Sequence, residues 1–319
     1  MQLDSCNCDF IYASSVDNFY LDTNASGSTR PLYKEVPHER MTNNENPNTL
    51  QTLKIIHPIY EDSLIAKTAF AHALAMAHAG NGQLEIIDVR DSREQRDEFS
   101  VRSLFEKWGI LQPNSERSDV AKLGLKITKI IKRGQPKKII GHRMEKHHHD
   151  LLVMGTQRHR GITKIFDTNL ADYLANEFRQ NTLYIPDNCK PFVNEENGKI
   201  SLRTILVPIA KDPLAHCALM FLQQLVSIFS QENTAIIGLH CGDSFPSLDT
   251  LVPEGLLLEK KLMPLPVVKG IVETARNDFV DLIVMATQGR NTIQKKIIGS
   301  LTEQVLSEAP CPVLSIPVD

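Results

Sequence analysis

The chain has 319 residues, 42 % of them hydrophobic, which is long enough for two ordinary domains with their own cores. A net charge of −3 and a pI of about 6.4 leave no global basic field, so nucleic acid is not an expected partner. No apolar run approaches the roughly 20 residues that span a bilayer, and MQLDSCNCDF lacks the basic start and apolar core of a signal peptide; no membrane is expected, and the cytoplasm is the expected place.

Residues 1–48 carry Asn, Ser, Thr, Asp and Pro with little periodicity and read as a poorly ordered extension, with Phe10–Tyr12 and Phe19–Leu21 able to anchor it. From Leu53 the pattern becomes α/β. LKIIHPI predicts a strand, Ser63–Ala79 an Ala-rich helix stopped by Gly80-Asn81-Gly82, and LEIIDV a second strand. Residues 91–124 are polar, with one short helical piece near Val101–Trp108. LKITKIIKR predicts a third strand, Pro136 to about His148 a helix, DLLVMGTQ at Asp150 a fourth strand, Leu170–Phe178 a helix and TLYIP a fifth strand. Strands alternating with helices predict a parallel sheet with right-handed crossovers. Asn188–Lys199, with Pro191 and Gly198, reads as a joint between a first domain at 49–190 and a second at 200–319.

After that joint the pattern restarts. DLIVMATQ at 281 repeats DLLVMGTQ at 150, and the offset holds from Gly134/Leu265 to Pro186/Pro317. The first strands align differently, Pro58 with Pro208, so the second half is shorter between its second and third strands. There CGDSFPSLDTLVPEG is too short for a helix with two loops. The sheet near Leu256, Leu257 and Leu258 would then lack a cover, which we expect the first half, the extension or a second chain to supply.

The stretch Asp281–Leu306 carries the candidate site. An apolar strand, LIVM, runs into Ala286-Thr287-Gln288-Gly289; after the basic residues Arg290, Lys295 and Lys296 come Gly299 and Ser300, and Ser300 with Glu303 forms a capping box that starts a helix. A strand end, a Gly-bearing turn and a helix N-terminus together suit an anion, because free N–H groups and the helix dipole converge there. This stretch resembles the nucleotide loop of the universal stress protein family, Gly-x-x-Gly, nine residues, then Gly-Ser or Gly-Thr. Gly289, Gly299 and Ser300 match it, and Ala286 stands for the first Gly.

The resemblance implies two tandem Rossmann-like domains of the adenine nucleotide alpha hydrolase-like type, each a five-stranded parallel sheet of order 3-2-1-4-5 flanked by helices. It also implies a pseudo-dimer of the halves through their fifth strands, beside a homodimer as the intermolecular option. The ligand would lie at the carboxyl ends of strands one and four. By that resemblance phosphates of ATP or another adenine nucleotide would meet Ala286, Gly289, Gly299 and Ser300, with backbone help from Leu301 and Thr302. Met285 and Gln288 would flank the ribose, and Pro208 with Leu239 or His240 the base. Two departures weaken the match. Ala210 stands where nucleotide-binding members carry an Asp, and Ala286 replaces a Gly, at a place where Ala is strained if the backbone needs positive φ. In the first half Tyr60 takes the Asp place, Gly155 keeps the first Gly, Arg158 replaces the second and Thr168-Asn169 replaces Gly-Ser; its site reads as vestigial.

No metal or catalytic group is expected. The six cysteines, at 6, 8, 189, 217, 241 and 311, have no paired metal spacing. His147-His148-His149 cannot converge on one ion while helical and reads instead as a cationic helix C-terminus. The loops after the first strands, HPIYEDS and VPIAKDP, lack a pyrophosphatase Ser-Gly-Gly-x-Asp-Ser, and no P-loop or nucleophile elbow occurs. A ligand-binding stress-response protein is the leading expectation, and a scaffold without nucleotide the alternative.

Overall fold

The computed structural model describes residues 52–90, 99–157, 170–210, 214–229, 234–247, 252–253, 255–288 and 301–318; the expected extension at 1–48 lies outside them. The first half runs β1 Lys54–Ile59, α1 Leu64–Ala79, β2 Gln83–Arg90, α2 Val101–Lys107, α3 Arg117–Ala121, β3 Lys126–Arg133, α4 Pro136–Lys146, β4 Leu151–Thr156, α5 Ala171–Glu177 and β5 Thr182–Pro186. The second runs β6 Thr204–Pro208, α6 Leu214–Phe229, β7 Ala235–Cys241, β8 Glu259–Met263, α7 Val267–Asn277, β9 Leu282–Gln288, α8 Leu301–Glu308 and β10 Val313–Val318.

The strands form one ten-stranded sheet of order β3-β2-β1-β4-β5-β10-β9-β6-β7-β8. Each half is parallel within itself, and the halves join where β5 meets β10 antiparallel, Leu183 opposite Leu314 and Tyr184 opposite Val313. Both fifth strands are apolar and buried on each face, so pairing them satisfies backbone groups that neither half alone would satisfy. Two apolar layers sandwich the sheet. One, holding Phe70, Leu74, Leu219 and Leu222, lies under α1 and α6; the other, holding Ile140, Leu174, Ile271 and Val305, lies under α4, α5, α7 and α8.

The repeated DL[L/I]VM has a local cause. Asp150 Oδ2 accepts from the Lys54 N–H at 2.8 Å, and Asp281 Oδ2 from Arg203 and Thr204 N–H at 2.8 and 3.2 Å. In each half a carboxylate before the fourth strand therefore holds the start of the first strand in register. Lys190 Nζ reaches the other Asp281 oxygen at 3.1 Å.

The joint does more than space the halves. Phe192 and Val193 are buried, Val193 bridges Ile200, and the Val193 N–H donates to Nε2 of His72 on α1 at 3.4 Å. Thr68 Oγ1 donates to Glu195 at 2.5 Å, and the Trp108 indole N–H donates to the Glu195 carbonyl at 3.0 Å. Gly198, at φ +68°, lies under the Trp108 ring, where a Cβ would come within 2.5 Å.

Three sequence expectations need correcting. The helix expected to run to about His148 ends at Lys146, because His147 is extended. His149 points inward instead of adding charge at a helix end. Its ring is buried with Nε2 3.6 Å from Glu85, and burial holds its pKa below the usual imidazole range. The polar region before β3 contains a second short helix, α3, capped by reciprocal Glu116 and Asp119 hydrogen bonds. No helix is found between β7 and β8 among the described residues. There Leu256 is buried, the Leu258 side chain lies against Gly238 of β7, and Leu257 is largely exposed.

Candidate functional site

Strands one and four of each half part company after two paired residues. β6 pairs with β9 only at Ile205/Leu282 and Leu206/Ile283, whereas on its other side it stays paired with β7 through Pro208/Leu239. β1 and β4 likewise pair only at Ile55/Leu151 and Ile56/Leu152. The divergence opens each half at the carboxyl ends of its central strands, the switch point where α/β sheets take ligands.

In the second half this opening is bordered by Pro208 at the end of β6 and Ala210 after it, by the end of β7, and by the end of β9. The Ile209 N–H donates to the Leu239 carbonyl at 2.7 Å, and His240 Nδ1 is 2.7 Å from the Ile209 carbonyl, which ties the loop after β6 to β7. Ala210 is exposed and offers no acceptor from its side chain. Leu239 and Met285 are buried in the apolar layer under α7 and α8, so only their main chain is left to face the opening. Ala286 is half-buried, paired with Ile316 inside β9, and is not among the residues with positive φ. The strain expected of an Ala at this place does not arise. Thr287 Oγ1 lies 3.1 Å from Ser315 Oγ on β10. Gln288 ends β9, and Leu301 and Thr302 open α8. Gly289, Gly299 and Ser300, with Arg290, Lys295 and Lys296, lie outside the described residues.

The first half is filled differently. His57 on β1 is buried, and its Nδ1 donates to the Val153 carbonyl of β4 at 2.9 Å, so an imidazole spans the gap between the parting strands. Its counterpart in the repeat, Val207, has no such group. Tyr60 is half-buried against the layer under α4 and α5. Gly155 is glycine because α1 comes close: a Cβ there would lie 3.0 Å from the Ile65 carbonyl oxygen. We expect Gly155→Ala to cost about 1 kcal/mol and Gly155→Val about 3 kcal/mol, because the neighbour is backbone and cannot rotate away. Denaturant melts check this, and a Gly155→Val protein as stable as wild type would contradict it. Arg158, Thr168 and Asn169 lie outside the described residues.

Sequence reasoning put the candidate site at the ends of strands one and four but missed the parting of β1 from β4 and the His57 bridge. The histidine inside an otherwise apolar strand was the available signal. Among the described residues no cluster of His, Cys, Asp and Glu could hold a metal ion, and no helix is long and apolar enough to cross a membrane.

The profile described as Universal stress protein family matches residues 53–186 and 259–317. A universal stress protein of Thermus aquaticus is 40 % identical over 48 residues, 15 % of this chain and 35 % of that protein. Universal stress protein MJ0531 of Methanocaldococcus jannaschii is 44 % identical over 46 residues, 14 % of this chain and 27 % of its own length. The chain thus spans about a third of the length of these relatives. A universal stress protein of Archaeoglobus fulgidus superposes with a TM-score of 0.57 at 15 % identity, over 82 % of this chain and 98 % of that one, a likeness of fold.

Proposed function

Since this chain belongs to the universal stress protein family, we propose that its second half binds an adenine nucleotide such as ATP, or a similar small anion, at the carboxyl ends of β6 and β9. In this reading the protein is a cytoplasmic stress-response factor that binds rather than turns over its ligand and passes the bound state to a partner. The halves, 49–190 and 200–319, act as two family domains that serve as each other's dimer partner across β5 and β10.

One observation carries the reading. The opening where β6 and β9 part lies at the strand end from which the Gly289/Gly299-Ser300 stretch departs, and α8 begins directly after that stretch. A crossover helix between parallel neighbours runs opposite to them, so the N-terminus of α8 returns to the same edge and can meet negative charge there.

Calorimetric titration with ATP, ADP and AMP tests it. Heat of binding is expected from the wild type and none from Gly289→Glu, which puts a carboxylate where phosphate would sit. Ala210→Asp restores an acceptor and is expected to tighten binding by one to two decades, the equivalent of roughly 1–3 kcal/mol. No heat at millimolar ligand from either the wild type or Ala210→Asp would end the proposal. The second reading, a scaffold without nucleotide, is favoured by the exposed Ala210 and by the His57 bridge in the first half. It expects an unchanged melting temperature with nucleotide, whereas ligand at 100 Kd adds about 2.7 kcal/mol in the first reading.

A further inference from the structure

The two ends of the sheet differ in charge and in length. β3 is a terminal strand, paired with β2 over all eight of its residues, and among the described residues no strand lies beyond it. Between Leu125 and His148 the sequence carries eight Lys and Arg against a single acid, Glu145, in a chain of net charge −3. Lys126, Lys132, Arg133, Lys138 and Lys146 are exposed, and none of them makes an ion pair among the described residues. The opposite terminal strand, β8, has five residues of mixed charge, EKKLM, and its Lys261 is held by Asp278 at 2.5 Å.

The ladder sets which backbone groups face outward. The Lys126 N–H donates inward to the Gly82 carbonyl at 3.1 Å. Because N–H and C=O groups alternate sides along a strand, Ile127, Ile131 and Arg133 turn theirs to the outer edge. No proline interrupts β3.

We infer that the outer edge of β3 is a docking site for an extended acidic segment of a partner protein, which adds to the sheet as an eleventh strand. Backbone hydrogen bonds supply the pairing, and the cations supply the choice of partner. Lysines along an edge repel a second copy of the same edge, and the same charge attracts a strand whose alternate residues are Glu or Asp. The observations favour a peptide over other polyanions. Residues 125–149 contain no Phe, Tyr or Trp on which a nucleobase could stack, and Ile131 is the one large apolar side chain of β3 that is broadly exposed, too little to anchor in lipid.

The test uses the full chain and a fluorescein-labelled peptide of about ten residues alternating Glu and Thr, followed by fluorescence anisotropy at low ionic strength. We expect saturable binding that weakens by about tenfold or more in the double variant Lys132→Glu/Arg133→Glu. The same peptide N-methylated at alternate amides keeps its charge and is expected not to bind. Ile131→Pro removes one outward N–H at a position where an edge tolerates proline; it is expected to keep the fold and lose the peptide. Absence of binding to the parent peptide overturns the inference, as does equal binding of the N-methylated one, which would mean charge alone is at work. Tighter binding of duplex RNA or phosphatidylserine vesicles than of the peptide also overturns it. Should Ile131→Pro not fold, the N-methylated peptide still decides.

Discussion

Acidifying the protein from pH 7 to pH 5 is expected to lower its stability by about 2 kcal/mol for each of two buried imidazoles, His57 and His72. Both rings are almost wholly buried. His57 donates from Nδ1 to Val153 and lies 5.8 Å from the Phe70 ring. His72 bonds the Thr68 carbonyl through Nδ1, accepts from the Val193 N–H with Nε2, and meets the Phe192 ring edge-on at 4.6 Å. Burial lowers each pKa to about 4, and the backbone carbonyl bonds, which favour the cation, recover only part of that.

The sign follows from the direction of the shift. The folded pKa lies below the unfolded value of 6.5, so both states are neutral above that value and the penalty is absent. As pH falls from 6.5 towards 4 the unfolded chain takes up protons that the folded chain refuses, and stability drops through that window. Protonation of His72 would also turn Nε2 into a donor facing the Val193 N–H, which breaks the bond between α1 and the joint. Urea unfolding at the two pH values measures the effect. In His72→Gln the difference between pH 7 and pH 5 is expected to shrink by about 2 kcal/mol; an unchanged difference would place the acid sensitivity elsewhere.

The second large effect is expected at Asp281. Its carboxylate, 4 % exposed, accepts two backbone N–H groups at the start of β6 and faces Lys190. Asp281→Ala would take the acceptor from both donors and is expected to cost about 3 kcal/mol, since hydrogen bonds to a charged acceptor contribute about 1.5–3 kcal/mol each. Asp281→Asn keeps an acceptor oxygen and is expected to cost about half as much. Lys190, whose side chain is 68 % exposed, contributes little by its charge, so Lys190→Ala is expected to lose about 0.5 kcal/mol or less. Asp150→Ala removes a carboxylate that holds only the Lys54 N–H and should fall between these limits. Denaturant midpoints rank the four variants; an Asp281→Ala loss no greater than that of Lys190→Ala would refute the role assigned to this carboxylate.

Much of the fold is legible along the chain because its signals are local. The apolar runs of β1, β4, β6 and β9 are short and continuous, as strands covered on both faces must be, and the helix expected at Ser63 begins there because the Ser63 hydroxyl accepts from the Ala66 N–H at 3.2 Å. The pairing of DLLVMGTQ with DLIVMATQ revealed the duplication, yet the reason for its leading Asp was hidden. That carboxylate serves a backbone 96 residues away in the first half and 77 or 78 away in the second. Similarly, α3 is polar and only five residues long, too short for any periodicity to register. The histidine run looked like exposed helix charge, because nothing local signals that His149 turns inward towards Glu85 and Arg143 of other elements.

By itself the amino-acid sequence determined the α/β class, the duplication and the lack of a helix between β7 and β8 among the described residues. Each of these depends on residue type and spacing within a few turns of chain. Tertiary structure alone decided that Ala286 is unstrained, that His57 closes the first opening while Val207 leaves the second without such a bridge, that Val193 and Glu195 of the joint hold α1, and that β3 presents its basic edge outward. Those outcomes depend on which distant groups share a small volume, and desolvation, close backbone approach and ladder phase exist only once the strands have been brought side by side.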